Sequence, residues 1–238
     1  MIKAIRKATG IFVLAAMLMT TVIPHTAYAA ENMVPTYEVK FLLDSDQVLN
    51  KDHRLKKEYR NYFETSSDYL TMGILYLDTE AQDFNNQGWI NRIRVKERKS
   101  NFELTYKKRY PIQDGNTEEA LTLANQEGFD ATDTNYSAEI DWGYSKMTLS
   151  LSCKKEKSSK GYDDLELPKK NAAIDMIKDR MPGKEENWLY KNWGKRSLMM
   201  QKKQDRYTAT GMKGNMTVQI SILKLCQLKI RTVENLHI

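Results

Sequence analysis

The chain of 238 residues carries 37 lysines and arginines against 31 aspartates and glutamates, with only two cysteines, Cys153 and Cys226. Two cysteines are too few for a disulfide-stapled miniprotein and lack the paired spacing of a zinc site, so they form one bridge or stay as two unpaired thiols. The length suits one domain with a substantial core, and no Gly/Ser-rich or Pro-rich linker divides it.

The chain opens with basic Lys3, Arg6 and Lys7, an apolar run from Ile11 to Ile23, and small residues at Ala27, Ala29 and Ala30. That is the layout of a cleaved secretory signal. The apolar run is shorter than the roughly 20 residues a membrane-spanning helix needs. Residues 1–29 are therefore expected to be a signal peptide and 30–238 an exported domain with no stable membrane span. Loss of the signal leaves 34 basic and 31 acidic residues, a formal +3. So small a charge does not predict a nucleic-acid partner, and an anionic ligand must be argued from where the cations sit.

Polar Thr36, Glu38 and Lys40 alternate with apolar Tyr37, Val39 and Phe41, which predicts a strand from Thr36 to Leu43. Leu55, Tyr59, Tyr62 and Phe63 follow at helical spacing, predicting an amphipathic helix that ends before Ser66. A strand is expected from Tyr69 to Asp78. Next, Trp89 to Arg98, a polar turn at Lys99, Ser100 and Asn101, and Phe102 to Tyr110 predict a β-hairpin. Alternation sends Arg92, Arg94 and Lys96 to one face of the first arm and Glu103, Thr105, Lys107 and Arg109 to one face of the second.

A helix is expected over Thr117–Gln126, capped by Asn116 or Thr117 and stopped by Gly128. A second hairpin pairs Tyr136–Trp142 with Met147–Lys154 and puts Ser137, Glu139 and Asp141 on one face. Leu167–Met181 reads as a helix with Pro168 in its first turn and Pro182-Gly183 as its stop. From Ser197 onward two or three further strands are expected around Gly211 and Gly214.

An alternating strand with one charged face is ordinarily a sheet wall in contact with water. Cations on both arms of one hairpin are less comfortable, since like charges ~5 Å apart repel by about 3 kcal/mol at an effective dielectric of ~20. Something anionic should offset them, either carboxylates such as Glu38, Glu139 and Asp141 or a bound polyanion. Carboxylates two apart on a strand project side by side, which suits Mg²⁺ or Mn²⁺ held through oxygen. None of His25, His53 and His237 stands beside a plausible Ser or Cys nucleophile, so nucleophilic catalysis finds no support.

These residues resemble the CYTH family of triphosphate tunnel metalloenzymes. Thr36-Tyr37-Glu38-Val39-Lys40 is similar to the family's opening Glu-x-Glu-x-Lys strand, and Tyr76-Leu77-Asp78-Thr79 to its Tyr-x-Asp-Thr strand end. Arg92-Ile93-Arg94, Leu104-Thr105-Tyr106-Lys107 and Glu139-x-Asp141 continue the likeness in order. The resemblance implies an α+β fold in which an antiparallel β-barrel with flanking helices encloses a tunnel. It implies that Lys40, Arg92, Arg94 and Lys107 hold phosphates, with Lys96 and Arg109 continuing the rows, and that Glu38, Glu139 and Asp141 hold Mg²⁺ or Mn²⁺. The implied activity is metal-dependent hydrolysis of tripolyphosphate, a nucleoside triphosphate or another triphosphorylated substrate.

The sequence departs from the family in two places. Thr36 stands where the family has its first glutamate, and from Val218 to Ile238 the only acid is Glu234, so the end from about residue 218 reads as divergent or frame-altered. Thr36 favours an alternative, a non-catalytic module of the same fold that binds polyphosphate or another polyanion. A third reading is an exported β-rich domain whose charged rows are simply solvated.

Overall fold

The computed structural model describes residues 30–40 and 43–203. The expected signal at 1–29, residues 41–42 of the first expected strand, the strands around Gly211 and Gly214, Cys226 and the end from 218 lie outside the described residues. From Glu31 onward the described residues belong to one compact unit.

The fold is α+β. Six strands, β1 (Thr36–Val39), β2 (Met72–Leu77), β3 (Trp89–Lys96), β4 (Asn101–Ile112), β5 (Ser137–Trp142) and β6 (Met147–Ser158), form one sheet in the order β1-β5-β6-β4-β3-β2. The helices are α1 (Ser45–Val48), α2 (Lys57–Tyr62), α3 (Asp83–Asn86), α4 (Thr117–Gln126), α5 (Lys170–Arg180), α6 (Gly183–Glu186) and α7 (Trp193–Lys203).

Alternation divides the sheet into an oily face and a charged one. Along β3, Trp89, Asn91, Ile93 and Val95 are buried, while Ile90, Arg92, Arg94 and Lys96 are half-buried on the other side. The oily face continues through Phe102, Leu104 and Tyr106 on β4, Ile140 on β5, and Leu149 and Leu151 on β6. It shares one core with Ala120, Leu121 and Ala124 of α4 and Ala173, Ile174 and Ile177 of α5. The Tyr106 hydroxyl donates to the Ile177 carbonyl at 2.7 Å, tying the central strand to α5. Hydrophobic burial on one face thus leaves the Arg92, Arg94 and Lys96 row and the Glu103 and Lys107 row to the other, while Lys108 is buried on the oily side with its ammonium on the Gln87 carbonyl.

Local signals account for several element ends. Asn116 Oδ1 accepts from the Glu119 N–H at 3.2 Å, capping α4, and Gly128 at φ +90° follows the end of that helix. Asp78 accepts the backbone N–H groups of Thr79, Phe84 and Asn85, so the acid after β2 organises the turn into α3. Gly88 sits at φ +71°, and a Cβ there would lie 2.8 Å from the Arg109 carbonyl, so only glycine allows β3 to begin this close to β4.

Of the expected α+β antiparallel barrel, the structure has the α+β class and a sheet that is mixed rather than wholly antiparallel. Among the described residues it is open, with β1 and β2 at its two edges, and β1 pairs with β5 in parallel. β1 is only four residues long and borders β5 alone, so closure would require further strands between the two edges. The helix expected across Leu55–Phe63 is only Lys57–Tyr62 and buries none of its residues. Ser197 lies in α7 rather than at the start of a strand region, because Trp193 and Leu198 are buried in the core from a helix. Cys153 is buried on β6 and has no disulfide partner among the described residues.

Beneath the oily face sits one acid without a counter-charge. Glu185 of α6 is fully buried and neither carboxylate oxygen meets a donor in good hydrogen-bond geometry; the amide of buried Asn91 beside it offsets its burial only in part. Burial raises the Glu185 pKa to about 8. The folded state therefore binds this proton more tightly than the unfolded chain does, so its contribution is fully present below the ordinary glutamate range and is lost as pH rises towards about 8. Urea unfolding across that window is expected to show stability falling with pH in the wild type and a flatter profile in Glu185→Gln. An unchanged slope in the variant would contradict the assignment.

Candidate functional site

Every sequence-predicted site residue lies on the charged side of the sheet, and strand pairing decides which of them meet. The parallel pairing of β1 with β5 sets Thr36 beside Glu139 and Glu38 beside Asp141. Glu38, Glu139 and Asp141 each offer a carboxylate oxygen within 4.8 Å of the others. Such a set of hard oxygens fits a divalent cation of the Mg²⁺ or Mn²⁺ kind. Thr36 adds no carboxylate; its hydroxyl donates to the Ala138 carbonyl at 3.4 Å.

Two lysines already sit on this cluster. Lys40 Nζ is 2.9 Å from Glu38 Oε2 and also bonds Asp141 Oδ1. Lys107 projects from β4 across β6, where its strand partner is the small Ser152, and its Nζ reaches within 3.7 Å of both Glu139 and Asp141. The buried Ser150 hydroxyl donates to Asp141 Oδ2 at 2.6 Å. Burial would push the Asp141 carboxyl up, but hydrogen bonds from Lys40 and Ser150 and the two lysine charges outweigh it and hold the group well below the usual carboxylate range. Asp141 is therefore ionised at neutral pH.

The two lysines respond oppositely to the same acids. For Lys40 the hydrogen bonds to Asp141 and Glu38 overcome burial and raise its pKa. For Lys107 burial dominates, and the attraction of Asp141 and Glu139 does not repay it, so its pKa is lowered. Only 16% of the Lys107 side chain is exposed. Here the ion-pair distances suggest stabilisation while the pKa direction does not; longer contacts at 3.7 Å and deeper burial explain why desolvation wins.

A second group forms on β3 and β4. The register places Arg94 opposite Glu103 and Arg92 opposite Thr105. Arg94 donates through Nε to Glu103 Oε1 at 3.1 Å and through a terminal nitrogen to the same oxygen, while Lys96 Nζ lies 3.4 Å from Glu103 Oε2. Arg92 donates to Thr105 Oγ1 at 3.2 Å and lies 3.9 Å from Glu103, and its buried Nε has no hydrogen-bond partner. Burial first, then the neighbouring Arg94 charge, lowers the Arg92 pKa. The like-charge clash expected across the hairpin does not arise, because Lys107 faces Ile90 rather than an arginine and Glu103 supplies the counter-charge.

The four expected phosphate ligands therefore gather as two pairs, Lys40 with Lys107 around Asp141 and Arg92 with Arg94 around Glu103. Between β5 and β3 lie three strand spacings, about 14 Å. Arg109 is exposed opposite Ser150, at the outer end of the row. Two participants escaped the sequence reading, Glu103 as shared counter-ion and Ser150 as donor to Asp141. The second was readable from the hairpin register, which sets Ser150 opposite Glu139.

No family model, curated protein or solved structure matches the chain.

Glu103 is the single acid among three cations, so its loss should be felt electrostatically. Glu103→Gln is expected to destabilise the protein by on the order of 1–2 kcal/mol at low ionic strength, with part of the loss regained as salt is raised. A melting temperature that matches wild type at every salt concentration would mean that Arg92, Arg94 and Lys96 are independently solvated.

Proposed function

We propose that the charged face of the sheet binds a linear polyphosphate chain, and that the protein is an exported, CYTH-like, divalent-metal-dependent hydrolase of tripolyphosphate or a triphosphorylated substrate. One observation carries this reading. Seven cations, Lys40, Arg92, Arg94, Lys96, Lys107, Arg109 and Lys154, share a face with five carboxylates, Glu38, Glu103, Glu139, Asp141 and Glu156, and for the half-buried Lys107 and Arg92 burial outweighs the nearby acids. A polyanion lying across the strands would satisfy Lys107 and the free Arg92 Nε together, which no single protein carboxylate does.

In this reading Arg92 and Arg94 grip one end of the phosphate chain, Lys107 its middle, and Lys40 the end nearest the carboxylates. A divalent ion on Glu38, Glu139 and Asp141 would supply charge neutralisation at the phosphoryl group under attack. Ser150 keeps Asp141 oriented towards the cluster. Closure of the open sheet into a tunnel belongs to the same proposal, as do the cleaved signal and the extracytoplasmic location.

Thr36 favours a second reading, a polyphosphate-binding module that does not cleave, because it leaves the cluster one carboxylate short of the motif it resembles. A matrix of metals and phosphate compounds separates the two. Hydrolysis predicts phosphate release from tripolyphosphate with Mg²⁺ or Mn²⁺, abolished by chelator and by Arg94→Ala. Binding alone predicts thermal stabilisation by tripolyphosphate without turnover. Absence of both would remove the proposal and leave a solvated charged face.

A further inference from the structure

The carboxylate cluster and Lys40 compete for the same space. Lys40 Nζ lies 2.9 Å from Glu38 Oε2 and bonds Asp141 Oδ1, so the ammonium occupies the position between two oxygens that a hard cation would need. A divalent ion at roughly 2.0–2.6 Å from those oxygens and an ammonium on the same oxygens exclude one another, by contact and by charge. Lys40 is also the cation best placed to leave. It follows the last residue of edge strand β1, and 36% of its side chain is exposed, against 16% for Lys107.

We infer that Lys40 is an internal cation that fills the carboxylate cluster in the absence of metal, so that metal entry requires its ammonium to swing away and a polyanion on the same face favours that departure. The inference rests on the metal-cluster reading above. Its consequence is thermodynamic coupling: metal alone meets a resident positive charge, whereas an anion that takes up the Lys40 ammonium exposes the carboxylates. Lys107 Nζ stays within 3.7 Å of Glu139 and Asp141. The protein thus keeps its carboxylates compensated without metal, which removes the like-charge strain of three adjacent acids.

The test is Mn²⁺ binding to the protein in the absence of any phosphate compound, followed by titration calorimetry and by the electron paramagnetic resonance signal of free Mn²⁺. Lys40→Met is expected to bind Mn²⁺ roughly tenfold or more tightly than wild type, since one unit of repulsive charge is gone. Lys40→Gln serves as the parallel variant should the methionine form fold poorly. Lys40→Arg, which retains the charge, should bind as weakly as wild type, and adding Asp141→Asn to Lys40→Met should erase the gain. Equal or weaker binding by Lys40→Met and Lys40→Gln overturns the inference while leaving the metal cluster standing. So does Lys40→Arg binding as tightly as Lys40→Met. Failure of wild type and every Lys40 variant to bind Mn²⁺ at all overturns the cluster reading itself, and this inference with it.

Discussion

Charge that is half removed from water has to be compensated close by, and the charged face of this sheet is organised around that requirement. Asp141 gathers Lys40, Lys107 and Ser150, and Glu103 gathers Arg92, Arg94 and Lys96. Each acid serves more than one cation. Such sharing leaves residual positive charge at the deeply placed Lys107 and at the unpartnered Nε of Arg92. An isolated surface ion pair would be worth little, but partial burial makes these arrangements consequential in both directions.

The fold creates this situation through its two-sided sheet. Burial of Trp89, Ile93, Phe102, Leu104, Ile140 and Leu151 beside the helices fixes the register, and a slip by one residue would drive arginines and lysines into the core. Parallel pairing of β1 with β5 then brings residues about a hundred positions apart into one carboxylate cluster. On the opposite side, Glu185 shows what happens without a counter-charge: the neighbouring Asn91 amide does not offset its burial, and its proton stays on well above the ordinary glutamate range. The same physics gives one acid a retained proton and the other, Asp141, a retained charge.

Much of this was legible in the sequence because period-two alternation is a strong local signal. Both hairpins, the division of Arg92 and Arg94 from Ile93 and Val95, and the helix from Thr117 to Gln126 with Asn116 as its cap all stand where the pattern puts them. What escaped was pairing between distant strands. Nothing local reveals that β1 joins β5 in parallel, or that Arg94 meets Glu103 instead of Lys107 or Arg109. The expected helix forms over Lys57–Tyr62, but its aromatic spacing does not mark a core-facing stripe: Tyr62 is 81% exposed and no residue of the helix is buried. The strands expected around Gly211 and Gly214 lie outside the described residues.

The central claim is that one face of this sheet receives a chain of phosphoryl groups between the Glu103 and Asp141 ion-pair groups. A crystal structure of the protein grown with tripolyphosphate and Mn²⁺, with manganese located by its anomalous signal, tests it most directly. The expected map shows phosphorus density bridging Arg92 and Arg94 to Lys107, with manganese among Glu38, Glu139 and Asp141. Density for both only elsewhere, with the two ion-pair groups unaltered, would contradict it.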